Sequence, residues 1–231
     1  MSKTIKETAL EKTARLVNFD RAFGALRLCG VDEAGRGPLV GPVAVCACVM
    51  PLDSPIVGID DSKKLSEKKR EELYERIIEV ADYCVVMIDA KTIDEINILE
   101  ATKLGMKRAI EGLKLRPDRA VVDAVKNLDI DVDYTSVIKG DAKSYSVAAA
   151  SIVAKVTRDR YMRELSDKYP AYLFWKNKGY GTAEHIAALR NIGACPEHRR
   201  TFIKNFVVGD MDFNNDKDNT DKDNTESKGK A

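Results

Sequence analysis

The chain has 231 residues, of which 44% are hydrophobic and 32% charged, enough apolar material for one sizeable core and too much for a largely disordered polypeptide. No run approaches the roughly 18 uninterrupted apolar residues of a membrane span, and the opening Met1-Ser2-Lys3-Thr4-Ile5-Lys6 lacks an apolar signal block, so a soluble, cytoplasmic protein is expected. The net charge of +1 is uneven: residues 209–231 carry seven acids against four lysines, a net of −3, which leaves +4 on the other 208 residues and a mild lean towards anionic partners.

Residues 8–23 read as an amphipathic helix, with Leu10, Ala14, Val17 and Phe19 among Lys12, Arg15 and Arg21. A strand over residues 26–31 leads to Asp32-Glu33, and the turn-rich AGRGPLVGP connects it to the β-branched apolar run of residues 43–50, a strand buried on both faces. Ser66 is the expected N-cap of a helix reaching Ala81 on the stripe Leu73, Ile77, Ile78. After a strand over residues 84–88, Thr92 with Glu95 and Asn97 with Glu100 form two capping-box patterns for a longer helix that ends before Pro117. Residues 119–123 (RAVVD) form a short strand that delivers Asp123 at its carboxyl end. Residues 134–138 form another, leading into Lys139-Gly140-Asp141. A long helix spans residues 144–165, its first half rich in small residues that allow close packing on a sheet, and a last helix over 182–191 closes at Gly193. The domain organisation expected is a helical extension (1–24), one catalytic domain (25–208) and a disordered acidic tail (209–231).

Five cysteines, Cys29, Cys46, Cys48, Cys84 and Cys195, form an odd set without CxxC spacing and fit buried free thiols better than disulfides or a zinc site. His185 and His198 belong to no Cys or His cluster and are assigned structural roles, with no Ser-His-Asp arrangement, P-loop or dinucleotide fingerprint in the chain.

Four acids stand at strand ends or in the turns beyond: Asp32, Glu33, Asp123 and Asp141. An acid beside an apolar run gains little unless something positive compensates it, and oxygen-only ligands select hard divalent ions such as magnesium or manganese. Singly, each acid is as well explained by helix capping or solvation. Asp32-Glu33 differs in running straight into Gly35-Arg36-Gly37.

Four segments, GVDEAGRGPLVGPVAVCACV (30–49), DSKKLS (61–66), KGDAKSYSVAAASIVAKVTRDRYM (139–162) and NKGYGTAEH (177–185), in this order, resemble ribonuclease HII, the type 2 ribonuclease H, over about residues 26–206. The resemblance implies an α/β, ribonuclease H-like fold: a five-stranded mixed sheet flanked by helices, with a helical C-terminal part. It implies a manganese- or magnesium-dependent endonuclease, with two ions per site, that acts on RNA–DNA hybrids and nicks duplex DNA 5′ of single embedded ribonucleotides, leaving 5′-phosphate and 3′-hydroxyl ends. Such an enzyme serves ribonucleotide excision repair and replication, and a monomer is expected. Carried over, the metal ligands and catalytic residues are Asp32, Glu33, Asp123 and Asp141. Gly35, Arg36 and Gly37 sense the ribose 2′-hydroxyl, and Tyr180 stacks near the sugar. Lys63, Lys64, Lys155 and Arg158 are assigned to phosphate contacts, with a solvated charged face as the alternative for any one of them. Ala124 departs from the glycine that many members carry after the third acid, so a slightly different turn is expected there. With only about 25 residues before the first strand, the added N-terminal domain of the sister type, ribonuclease HIII, is not expected. The rival readings are a binding protein that keeps the fold without catalysis, and a nuclease of the same fold that cuts DNA.

Overall fold

The computed structural model describes residues 7–207; the proposed acidic tail lies outside them. Strand β1 (Leu28–Ala34) is the centre of a five-stranded sheet, flanked by antiparallel β2 (Val43–Val49) and parallel β4 (Arg119–Asp123). Antiparallel β3 (Asp82–Ile88) and parallel β5 (Asp133–Val137) complete the order β3-β2-β1-β4-β5. The mixed, helix-flanked sheet expected from the resemblance is therefore present.

Helix caps follow local chemistry. Helix α1 (Ala9–Arg21) starts at a capping box in which the Thr8 hydroxyl accepts from the Glu11 N–H while the Glu11 carboxylate accepts from the Thr8 N–H. Ser66 caps α2 (Glu67–Val80) as expected. Helix α3 (Ala90–Glu111) corrects one expectation: its N-cap is Asp89, whose carboxylate accepts from the Thr92 N–H at 2.7 Å, so Thr92 is the capped residue and not the cap. The Asn97 pattern survives as a kink, where Asn97 has φ +66° and its side-chain oxygen accepts from the N–H groups of Leu99 and Glu100, restarting the helix. Ser144 caps α4 (Tyr145–Lys168). Short α5 (Phe174–Asn177), α6 (Ala183–Ile192), capped by Thr182, and α7 (Arg200–Ile203) form the C-terminal part. Among the described residues no helix is long and apolar enough to cross a membrane.

The sheet is buried on both faces because alternate residues of β2 serve opposite layers. Cys46 and Cys48 pack with α1, α2 and α4; Val43, Val45 and Ala47 pack with α3. These cysteines are buried free thiols, as expected, and burial holds their pKa values well above the ordinary range. The fit of α4 on β1 depends on one missing methyl group. A Cβ on Gly30 would lie 2.1 Å from the Ser146 carbonyl carbon and 2.2 Å from the Val147 nitrogen, so glycine lets the first turn of α4 sit directly on the strand. Buried Asp20 at the end of α1 then accepts from the Ser146 N–H at 2.8 Å, an anion at the positive end of α4. Gly30→Ala must push backbone apart, not a flexible side chain; it is expected to destabilise the protein by about 3 kcal/mol or more, measured as a lowered urea midpoint.

Candidate active site

The parallel strands β1, β4 and β5 end on the same edge of the sheet, and three loops meet there. Asp32 and Glu33 lie inside β1, which runs to Ala34, and not beyond its end as the sequence suggested. Register places Val31 opposite Val122, so Asp32 and Asp123 are the next residues on adjacent strands. Asp123 accepts from the Gly140 N–H at 2.7 Å, which ties the end of β4 to the turn carrying Asp141. Ala124 has a left-handed φ of +51°, the conformation for which glycine is best suited.

All four acids meet, and they strain one another electrostatically. Asp32 is 5% exposed and Asp141 7%. Burial, then the charges of Glu33 and Asp123, hold the Asp32 carboxyl well above the usual carboxylate range. Burial also raises Glu33, against the opposing pull of Arg36, and raises Asp141, with Asp61 and Asp123 adding to it. Partial burial works against the Lys63 ammonium, yet Asp32, Asp141, Asp61 and Asp123 together raise its pKa. Asp61, within the DSKKLS segment, is a fifth carboxylate to which the sequence reading gave no role.

The donor set fits a hard divalent cation. Glu33 Oε2 is buried with no hydrogen-bond partner, while Oε1 stands 3.6 Å from Arg36 Nη1. The carboxylates are turned onto their own backbone: Asp32 accepts from the Glu33 N–H at 2.8 Å, as Asp123 does from Gly140. Among the described residues no three acid, His or Cys side chains converge as a finished ligand set. Gathering an ion would therefore require these carboxylates to rotate towards it, with Glu33 Oε2 free to do so at once.

Beside the acids lies a cleft of about 290 Å³ whose lining includes Glu33, Arg36, Gly37, Ser62, Lys155 and Tyr180. A Cβ on Gly37 would be 3.5 Å from the Tyr180 ring, which sets the half-exposed tyrosine against the glycine loop. A second hollow between Arg116, Pro117, Ile130 and Val132 lies beside the opposite ends of β4 and β5, and the acids lining it are exposed. Exposed Lys63 lines the cleft, and its exposed neighbour Lys64 stands 3.6 Å from Asp61. Lys155 reaches the cleft, with its ammonium 2.6 Å from Asp159. Arg158 lines the same cleft but is 1% exposed, and its guanidinium donates to the carbonyls of Val40, Pro42 and Lys178.

Against the expectation that they belong to no Cys or His cluster, the two histidines are buried against each other beside Cys195, whose sulfur lies 3.1 Å from His198 Nδ1. His185 Nδ1 lies 2.9 Å from the Tyr180 carbonyl, His185 Nε2 lies 3.0 Å from His198 Nε2, and His198 Nδ1 accepts from the Cys195 N–H. These contacts are all satisfied by two neutral rings, and burial, with His185 adding to it, pushes His198 down to about 4.

The family model for ribonuclease HII matches residues 29–206. Ribonuclease HII of Caldicellulosiruptor bescii is 56% identical over 202 residues, 87% of this chain and 96% of that one. The chain belongs to the ribonuclease HII family. It is accordingly a ribonuclease H, a hydrolase that cuts the RNA strand of RNA–DNA hybrids internally. Among solved structures, ribonuclease H2 from Pyrococcus horikoshii OT3 matches with TM-score 0.68 and 30% identity over 78% of this chain and 97% of that one. Bst-RNase HIII in complex with Mn2+ shares the fold, with TM-score 0.61 and 20% identity over 76% and 65%.

The raised acids carry a pH signature. A carboxyl whose folded pKa exceeds its unfolded value favours folding fully below the unfolded value, near pH 4, and that contribution is lost as pH rises through the folded value. At pH 7.5 the metal-free protein thus carries a penalty that Asp32→Asn removes. The variant is expected to melt several degrees above the parent at pH 7.5, the gap narrowing towards pH 4.5. Manganese should raise the melting temperature of the parent and leave that of Asp32→Asn nearly unchanged. Calorimetric melting across this pH range, with chelator or manganese, checks both.

Proposed function

We propose that this ribonuclease HII nicks duplex DNA on the 5′ side of a single embedded ribonucleotide, as well as cutting longer hybrids, and leaves 5′-phosphate and 3′-hydroxyl ends. The observation that carries the proposal is the adjacency of two features: a buried carboxylate oxygen without a partner on Glu33, and the glycine loop that begins two residues later and packs against Tyr180. Asp32, Glu33, Asp123 and Asp141 would hold the ions, manganese or magnesium. When bound, such ions lower the pKa of a water for in-line attack on the phosphate and stabilise the departing 3′ oxygen.

The chain's own groups perform the rest. The Gly140 N–H donates to Asp123 and so holds the turn that carries Asp141 beside the end of β4. The backbone of Gly35 to Gly37 can approach a sugar closely because no side chain intervenes, and the 2′-hydroxyl, both donor and acceptor, is the group that distinguishes ribose from deoxyribose there. Tyr180 offers an exposed ring face next to Gly37 for the sugar at the junction. Lys63, Lys64 and Lys155 supply positive charge along the phosphate path, of which Lys63 is held charged by the acids beside it.

Replacing Asp123 by Asn is expected to lower the cleavage rate by at least about a hundredfold, on the scale of removing one group that stabilises charge in the transition state, while duplex binding in a gel-shift assay changes little. The substrate is a duplex with one ribonucleotide, the products are mapped at nucleotide resolution, and an all-DNA duplex is the control. Cleavage of the control at a comparable rate would assign the site to DNA instead.

A further inference from the structure

The loop from Gly35 to Pro42 is held from inside by two buried guanidiniums, and we infer that Arg199 is a positioning residue for ribose recognition: it turns the Gly35–Gly37 backbone so that its N–H groups face the cleft. The inference rests on the proposal that this cleft receives the ribonucleotide.

Arg199 is fully buried and donates four times into one loop: Nη2 to the Gly35 carbonyl at 2.6 Å, Nη1 to those of Arg36 and Pro38 at 2.9 Å, and Nε to that of Gly41 at 2.9 Å. Arg158 adds Pro42 at 3.0 Å and Val40 at 3.2 Å. Among the described residues neither arginine forms an ion pair with a carboxylate. Burying two cations near each other is costly, and burial followed by the neighbouring Arg158 charge pulls the Arg199 pKa down to about 9. Packing alone would be served by apolar side chains of similar volume. What the guanidinium fork supplies, and an apolar side chain cannot, is a fixed set of donors that dictates which way six successive or nearly successive peptide groups point.

The direction matters because a trans peptide carries its C=O and N–H on opposite sides. With the Gly35 and Arg36 carbonyls aimed at Arg199, the N–H groups of Arg36 and Gly37 point away from it. Neither has a hydrogen-bond partner among the described residues. The glycine at 35 is required by the same arrangement: its φ is +97°, and a Cβ there would lie 2.0 Å from Arg158 Nε. Arg199 is itself anchored to the loop it orders, through its N–H to the Leu39 carbonyl at 2.8 Å and a bridge between Val40 and His198. Two donors aimed outwards from a rigid glycine backbone suit the oxygens of a ribose hydroxyl and its phosphate.

The test compares a duplex containing one ribonucleotide with the same duplex carrying a 2′-fluoro group at that position, for the parent enzyme and for Arg199→Lys, which keeps the charge but loses the fork. The parent should prefer the ribose substrate in kcat/KM, and Arg199→Lys should reduce that ratio about tenfold or more, the equivalent of about 1.4 kcal/mol. Its manganese-induced rise in melting temperature should be retained, since the carboxylates are separate. A variant that slows both substrates equally, or keeps the parent ratio, would overturn the inference. If Arg199→Lys does not fold, hydrogen exchange on the protein carrying Asp123→Asn decides. The Arg36 and Gly37 amides should exchange quickly when free and become protected by the ribonucleotide duplex but not by all-DNA duplex; equal protection by both, or by neither, would overturn it. A parent enzyme that fails to cut the ribonucleotide duplex at all would instead sink the proposed function.

Discussion

Like charges forced together out of water set the terms for this protein. Asp32 and Glu33 are embedded in the central strand, Asp123 ends the neighbouring strand, and Asp141 follows the next, so a parallel arrangement brings three separate stretches of chain to one sheet edge. Burial and neighbouring carboxylates raise Asp32, Glu33 and Asp141, opposed by Arg36, Lys63 and the hydrogen bonds that Asp32 accepts from Ser151 and the Glu33 N–H. The fold tolerates that penalty because the rest of the sheet is covered on both faces, with α4 lying close enough on β1 that a single added methyl at Gly30 would meet backbone. Stability elsewhere underwrites an edge that is unstable until a cation arrives.

The second constraint is the shape of the glycine loop. Arg158 of α4, 116 to 118 residues from its partners, and, from the C-terminal part, Arg199, a turn through Asn177 and Gly179 and a pair of neutral histidines behind Tyr180 hold it. The acidic edge and the glycine loop are thus built by different layers of the molecule that meet at Glu33 to Gly37. The helical C-terminal part is the support for the loop, and its short helices α5 and α7 are held by these contacts more than by their own helical propensity.

Much of this was legible in the chain. The apolar run of β2, the cap at Ser66, the helices beginning near Ser144 and Thr182, and the short RAVVD strand were all visible as local patterns and formed as expected. The four acids were visible only through their company, since no local rule separates a buried strand-end aspartate from a solvated one. What stayed hidden was three-dimensional. Asp61 lies in the loop before α2, which begins at Glu67, and carries no cap or periodic signal, so its approach to Asp141 could not be read. Lys155 and Arg158 lie three residues apart on one helix, look equivalent in sequence and both line the cleft, yet Lys155 is paired with Asp159 while Arg158 is buried and donates to loop carbonyls. Arg199, in a run of charged residues, reads as surface; only the fold reveals four carbonyls waiting for it.

The central claim is that a divalent cation relieves the repulsion among Asp32, Glu33, Asp123 and Asp141. Anomalous scattering from crystals of the protein grown with manganese tests it most directly. The account predicts manganese density between these side chains, with the Glu33 oxygen that lacks a partner turned into its coordination sphere. Manganese bound only at other surface carboxylates, with the four acids unchanged, would contradict it.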